Sequence, residues 1–74
     1  MIKIKISATI ANEYTANGVY DFIDQKGTYH LTREQALELL EDAKFNFFHS
    51  DTPAGVSRAY GTLFSNLMAA LDIK

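Results

Sequence analysis

The sequence predicts an α+β domain with the element order βββαα, in which two antiparallel helices cover one face of a three-stranded antiparallel meander. Two observations lead to this fold class. Apolar and polar residues alternate from residue 2 to residue 10, which is the period of a strand with one buried face. After residue 32 the apolar residues recur at helical spacing, in two segments separated by a loop that contains the chain's single proline.

Length and composition limit the protein to one small domain over residues 1–74. Of the 74 residues, 47% are hydrophobic and 22% are charged, and the formal net charge is −2. Such a chain is too short for most large enzyme folds and too apolar for intrinsic disorder. It contains no cysteine, which fits a reducing compartment. No apolar run has the length of a signal sequence or a membrane span, so we expect a cytoplasmic protein without a membrane partner.

The predicted strands come first in the chain. In the first strand the apolar residues share one face: Ile2, Ile4, Ile6, Ala8 and Ile10. Asn17-Gly18 is typical of a type I′ hairpin turn, because both residues accept a positive φ, and it lies between residues 13–16 and 19–23. A further turn leads to the third predicted strand at residues 28–30.

Two helices are predicted in the rest of the chain. Thr32 is an N-cap residue and Gln35 completes a capping box, so we expect the first helix from about residue 33 to about residue 47. The second helix is expected to start at Thr52-Pro53, because proline suits the first helical position. Small residues at every fourth position of this helix let another backbone approach closely: Ser57, Gly61 and Ser65.

The sequence contains no pattern typical of a reaction centre. The segment 55–59 resembles a nucleophile elbow around Ser57, but no histidine follows residue 49 and the segment is predicted to be helical. His30 and His49 lie far apart in the chain, and with Asp51 they do not form a metal-ligand motif. The four glycines are isolated, so no phosphate-binding loop is predicted. We expect no enzyme, no cofactor and no metal.

A single-stranded nucleic-acid-binding module is one alternative function. Lys3 and Lys5 lie on the polar side of the first strand, and three tyrosines of the predicted sheet would supply stacking rings: Tyr14, Tyr20 and Tyr29. The net charge has the wrong sign for binding phosphates, so nucleic acid is not the expected partner. A structural, self-associating protein is another alternative, and the sequence leaves a homo-oligomer open.

The acidic residues of the first predicted helix form one candidate contact surface. Glu34, Glu38 and Glu41 recur at i, i+4 and i+7, and Asp42 lies beside them. A solvated outer helix face explains this pattern without any function. The functional interpretation is an acidic ridge that docks on a basic partner surface, where charge steers association.

Three phenylalanines at the end of the same helix form another candidate. Phe47 follows the apolar stripe, whereas Phe45 and Phe48 point elsewhere. Either these two rings tuck under the second helix, or they are exposed anchors of the kind that dominate binding energy at interfaces. The predicted partner-binding residues are Glu34, Glu38, Glu41, Asp42, Phe45 and Phe48.

The segments 32–38 (TREQALE) and 53–58 (PAGVSR) belong to a layout that resembles some small bacteriophage anti-CRISPR proteins. The resemblance covers about the last forty residues. It lies in the sheet-then-two-helices order and carries over no individual site residue. It implies a phage-encoded, non-enzymatic inhibitor in the host cytoplasm that binds one subunit of a bacterial CRISPR-Cas defence complex stoichiometrically. The partner would then be a basic surface of a nucleic-acid-handling complex.

Overall fold

The computed structural model describes residues 1–72 and has the element order βαβαα. Its two strands and three helices are β1 (Ile2–Ile6), α1 (Ala8–Asn17), β2 (Gly27–Leu31), α2 (Arg33–Phe48) and α3 (Ala54–Ala70). The protein is α+β, but the sheet formed within residues 1–72 has two strands. The predicted three-stranded meander and the predicted order βββαα are therefore wrong, because α1 and a loop take the place of the middle strand.

The two strands pair antiparallel, with Ile4 opposite Tyr29 and Lys3 opposite His30. Directly opposed side chains share one face of a sheet. Ile4 is buried and Lys3 is exposed, so the core lies on the Ile4 side. β1 ends at Ile6, and not at residue 10 as the alternation predicts.

Helix α1 begins and ends at residues suited to capping a helix. The Ser7 Oγ accepts the backbone N–H of Ile10 at 3.3 Å, which caps the first turn. Gly18 has a φ of 62°, and its N–H donates to the carbonyl of Tyr14. Asn17-Gly18 therefore ends a helix where a hairpin turn was predicted, because both structures use a glycine with positive φ.

Residues 19–26, which were predicted to contain the second strand, form a loop that is anchored to β2. The Tyr29 hydroxyl donates to the Gln25 carbonyl at 2.6 Å and accepts the Asp24 N–H at 3.3 Å. Ile23 of the same loop is 1% exposed and belongs to the core. The loop thus packs through Ile23 and, less deeply, through Tyr20 and Phe22, and the Tyr29 hydroxyl holds it to β2.

The predicted start of α2 is confirmed, and α3 starts one residue later than expected. The Gln35 N–H donates to Thr32 Oγ1 at 3.1 Å, and the Thr32 N–H donates to Gln35 Oε1 at 3.0 Å, which completes the capping box. Pro53 is the cap residue of α3 and not its first helical residue. The Pro53 carbonyl accepts the Ser57 N–H at 2.8 Å, which closes the first turn.

Helices α2 and α3 pack closely at Gly61. A Cβ on Gly61 would lie 2.7 Å from the Phe47 ring, so the ring occupies the space of the missing side chain. The Ser57 Oγ donates to the Phe47 carbonyl at 3.2 Å and joins the same two helices. The row of small residues therefore receives a side chain of α2, where the sequence predicted the close approach of a backbone.

The core lies between the inner face of the sheet and the three helices. Both strands, all three helices and the loop contribute to its most deeply buried large side chains, which are Ile6, Ile10, Tyr14, Ile23, Leu31, Leu39 and Leu67. Among residues 1–72, no helix combines the length and the hydropathy that crossing a bilayer requires.

Candidate interaction surface

Five exposed residues of α2 form one row, called here the outer row: Glu34, Glu38, Glu41, Phe45 and Phe48. Their spacings are four, three, four and three residues. At about 100° per residue they fall within about 80° of one another around the helix axis. The carboxylates and the two phenylalanines, which the sequence treats as separate candidates, therefore belong to one continuous strip.

The outer row points away from the core because the opposite side of α2 is buried. Ala36, Leu39 and Ala43 are each 0% exposed. In contrast, Phe45 is 65% exposed and Phe48 is 67% exposed. Side chains of this size are normally buried, so two of them side by side in solvent form an unusual surface for a small domain.

Asp42 lies beside the outer row and not within it. It is half-buried, and its Oδ2 accepts a hydrogen bond from the Tyr14 hydroxyl at 2.8 Å. This bond connects α1 to α2 across the core edge. Burial raises the pKa of the Tyr14 hydroxyl above its ordinary value, and the bond to Asp42 raises it further. Of the four predicted acidic contact residues, three face solvent and Asp42 serves an internal contact.

Phe45 and Phe48 are placed as in the exposed one of their two predicted alternatives, and Phe47 packs against α3. Phe47 lies against Gly61 of α3, as described above. Phe45 and Phe48 stay exposed, although Phe48 touches α3 through an edge-to-face contact with Phe64 at a centroid distance of 6.3 Å. The Phe45 ring lies 5.1 Å from the His49 ring. These contacts hold the two exposed rings in place without covering them.

An open depression of about 360 Å³ lies at the aromatic end of the outer row and is lined by Glu41, Lys44, Phe45, Phe48 and His49. A smaller depression of about 150 Å³ follows the seam between α2 and α3, lined by Leu40, Glu41, Lys44, Phe64 and Met68. The two share Glu41 and Lys44, so they are adjacent. Together they form shallow recesses beside the two rings.

Part of this surface can be read from residue spacing alone. Phe45 and Phe48 continue the spacing of Glu34, Glu38 and Glu41, and this signal was available in the sequence. Phe64 and Met68 belong to another helix, and only the packing of α3 beside α2 brings them to the same seam.

Tyr14 and Tyr60 are buried, and Tyr20 is half-buried. Tyr14 contacts Tyr20 and Tyr60 edge-to-face, with ring centroids 5.0 Å and 6.1 Å apart. Burial raises the pKa of Tyr60 to about 12, and the Asp42 carboxylate adds to the shift. Burial also raises the pKa of Tyr20, which donates to the Glu38 carbonyl at 3.3 Å.

The structure does not bring together the lysines and tyrosines of the nucleic-acid alternative. Lys3 and Lys5 lie on the outer face of the sheet, whereas Tyr29, opposite Ile4, belongs to the inner face. Tyr14 is 1% exposed and cannot stack on a base. Tyr20 packs between Tyr14 and Phe22.

The remaining candidates of the sequence occupy ordinary positions. Ser57 is a residue of α3 that donates to a backbone carbonyl. His30 lies in β2, and His49 follows α2, where its Nδ1 accepts the Asp51 N–H at 3.2 Å. Among residues 1–72 no three histidine, cysteine, aspartate or glutamate side chains are placed to hold a metal ion.

No family model, no curated protein and no solved structure matches this chain. The class to which the protein can be assigned is therefore that of its fold and surface: a small α+β domain with an exposed acidic and aromatic helix face.

Proposed function

We propose that this protein is a non-enzymatic protein-binding module that docks the outer row of α2 on a basic and partly apolar surface of a partner protein. The observation that carries the proposal is the exposure of Phe45 and Phe48 on the same helix face as three carboxylates. Leaving a phenylalanine ring in water forgoes roughly 1.5–3 kcal/mol of burial free energy. A partner that covers both rings recovers this free energy.

The two ends of the outer row favour different contributions to binding. Exposed aromatic rings beside a recess are the type of side chain that forms binding hot spots. Glu34, Glu38 and Glu41 create a negative field that steers a positively charged surface towards the helix and sets its orientation. The matching partner surface has apolar side chains next to a patch of lysine or arginine.

The first partner class to assay is a subunit of a bacterial CRISPR-Cas complex, for which the protein would be a stoichiometric inhibitor acting in the cytoplasm. The support for this choice is the charge of the outer row, since a surface that handles nucleic acid is basic. The sequence resemblance supports it only for the segment from β2 to α3, because the first half of the chain does not form the expected sheet.

The experiment compares binding of four variants to purified candidate complexes by size-exclusion chromatography and calorimetry. Phe45→Ala with Phe48→Ala removes the anchors, and Val19→Ala, which shortens another exposed apolar side chain, is its matched control. Glu38→Lys reverses one charge of the row, and Asp21→Lys reverses an exposed charge in the loop. We expect the row variants to lose binding and the controls to keep it, with a salt dependence that Glu38→Lys reduces.

Three results distinguish the parts of the proposal. Binding that survives both row variants would show that the outer row is not the contact surface. Binding through the row to a protein outside the defence complexes would overturn the inhibitor assignment and keep the docking surface. Nucleic-acid displacement by wild type but not by the phenylalanine variant would support both parts.

A further inference from the structure

We infer that a cavity between the β1–α1 junction and α3 is a binding site for a small phosphate-bearing anion. This site shares no residue with the outer row of α2, so it stands independently of the proposed function. It is an open recess of about 280 Å³ whose polar lining residues are Lys5, Ser7, Thr9, Arg58, Thr62 and Asn66.

The charge of the cavity is the first argument. Lys5 of β1 and Arg58 of α3 both line the recess, so two cationic residues that are far apart in the sequence belong to one surface depression. No aspartate or glutamate lines it among the residues that the structure describes. In a chain with a net charge of −2, a recess lined by two cations and no carboxylate is complementary to an anion.

The polar groups of the cavity are the second argument. Thr9 and Asn66 also line the recess. Their side chains carry a hydroxyl and an amide, which can donate hydrogen bonds as the ammonium and guanidinium groups can. The Ser7 Oγ accepts the Ile10 N–H, which leaves its own hydrogen free to donate to a ligand. Thr62 differs, because its hydroxyl already donates to the Arg58 carbonyl at 3.2 Å. Several side chains with hydrogen-bond donors therefore line the recess. The hydrogen of the Thr62 hydroxyl is already used in the bond to the Arg58 carbonyl.

The shape of the site follows from the spacing of residues on α3. Gly55, Arg58, Thr62 and Asn66 recur at three or four residues and so line one side of the helix. Gly61, where α3 packs on Phe47 of α2, lies about 100° around the helix axis from the centre of this row. The recess is therefore on a different side of α3 from this contact with α2.

The ligand class follows from the guanidinium and the size of the recess. A guanidinium binds phosphate oxygens through two parallel hydrogen bonds, and an ammonium group adds a point charge. The volume lies just below the range of pockets for drug-sized molecules, which suits inorganic phosphate or a small phosphomonoester. A long polyanion is disfavoured because the protein as a whole is acidic.

The test is an NMR titration of the ¹⁵N-labelled protein at constant ionic strength. Inorganic phosphate is one titrant, glycerol phosphate is another, and a short single-stranded oligonucleotide is the third. We expect saturable shifts of the Thr9, Thr62 and Asn66 amides with the two small titrants. Tighter binding of the ester identifies a phosphorylated metabolite as the ligand, and tighter binding of the inorganic ion identifies free phosphate.

Matched variants make the titration specific. Arg58→Gln removes the guanidinium and Asn66→Asp adds a negative charge at almost constant shape, so each is expected to weaken binding about tenfold or more. Arg33→Gln and Asn12→Asp make the same chemical changes at exposed positions outside the cavity and are expected to alter binding less than about twofold. The spectra themselves show whether each variant is folded.

Three results would overturn the assignment. One is a set of shifts that does not saturate or that spreads over all lysine-bearing surfaces. Another is an equal loss of binding in the cavity variants and their controls. A third is tighter binding of the oligonucleotide than of either small titrant, which would replace the small ligand by a polyanion.

Discussion

Two groups of aromatic side chains lie at opposite extremes of exposure in this protein. Tyr14 and Tyr60 are 1% and 4% exposed, whereas Phe45 and Phe48 are 65% and 67% exposed. The more polar rings are inside and the purely apolar rings are outside, which reverses the order expected from hydrophobicity. The two tyrosines therefore pack within the fold, and Tyr14 also hydrogen-bonds there, whereas the two phenylalanine rings remain accessible to solvent.

The largest expected effect comes from removing the central tyrosine. Tyr14→Ala deletes a buried ring that contacts two other tyrosines and leaves a cavity, so we expect a loss of about 3–5 kcal/mol in the free energy of unfolding. Urea denaturation followed by circular dichroism measures it. A loss below about 1 kcal/mol would remove the contrast between the two groups.

A smaller loss of stability is expected when only the Tyr14 hydroxyl is removed. Tyr14→Phe keeps the ring but removes the donor to Asp42, and a hydrogen bond to a charged group contributes about 1.5–3 kcal/mol. Asp42→Asn is the matched control, because its amide oxygen still accepts the bond, and we expect it to cost less. Equal losses in both variants would show that the charge of Asp42, and not the bond, stabilises the fold.

The loss of stability at high pH depends on Tyr14, Tyr20 and Tyr60 together. Their pKa values are raised in the folded state, that of Tyr60 from 10.0 to about 12, because burial disfavours the phenolate. The unfolded chain therefore loses these protons first, and stability that is complete below pH 10 falls as the pH rises through 12. Urea midpoints at a series of pH values, with tyrosinate absorbance as a second signal, measure this loss. Tyr60→Phe is expected to reduce the pH dependence, and an unchanged slope would contradict the assignment.

Phe47 is 37% exposed, between the two groups. Its contact with Gly61 predicts that the sign of the Gly61→Ala effect on stability depends on the Phe47 ring. Alanine in a helix is more stable than glycine by up to about 1 kcal/mol. In the wild type, the new Cβ of Gly61→Ala would displace the Phe47 ring, which offsets this gain. In a Phe47→Ala background the ring is gone, and we expect Gly61→Ala to stabilise. A double-mutant cycle in urea measures the coupling, and equal effects in both backgrounds would exclude it.

The smallest expected effect concerns the exposed rings. Phe45→Ala is expected to change the free energy of unfolding by less than about 0.5 kcal/mol, because its ring is largely in water. Differential scanning fluorimetry beside the wild type checks this. A marked loss of stability would mean that the ring is part of the fold, and the contrast with the tyrosines would then be one of degree.

The second half of the fold was more predictable than the first. The capping box of Thr32 and Gln35 is a local signal with one structural meaning, and α2 starts where it indicates. Ile6, Ile10 and Tyr14 are four residues apart, which fits one face of a strand and one face of a helix equally well. The pattern was therefore ambiguous between residues 7 and 16, and the prediction chose the wrong period.

The candidate surface, like the fold, could be predicted from the sequence only in part. The positions of Glu34 and Glu38 on one helix face follow from their spacing alone. Whether Phe45 and Phe48 are exposed depends on where α3 lies, and sequence left both outcomes open. Asp42 bonds to Tyr14 of α1. Because helix α1 was not predicted, this bond could not be predicted either.

Capping and helical spacing act over a few residues, so the α+β class, the start of α2 and the alignment of the outer row could be predicted from the sequence. Three other features depended on tertiary packing: Asn17-Gly18 ends a helix, Phe47 fills the space at Gly61, and Lys5 and Arg58 line one recess. These outcomes depend on contacts between segments far apart in the chain, whose packing free energy exceeds the small local preferences that the sequence displays.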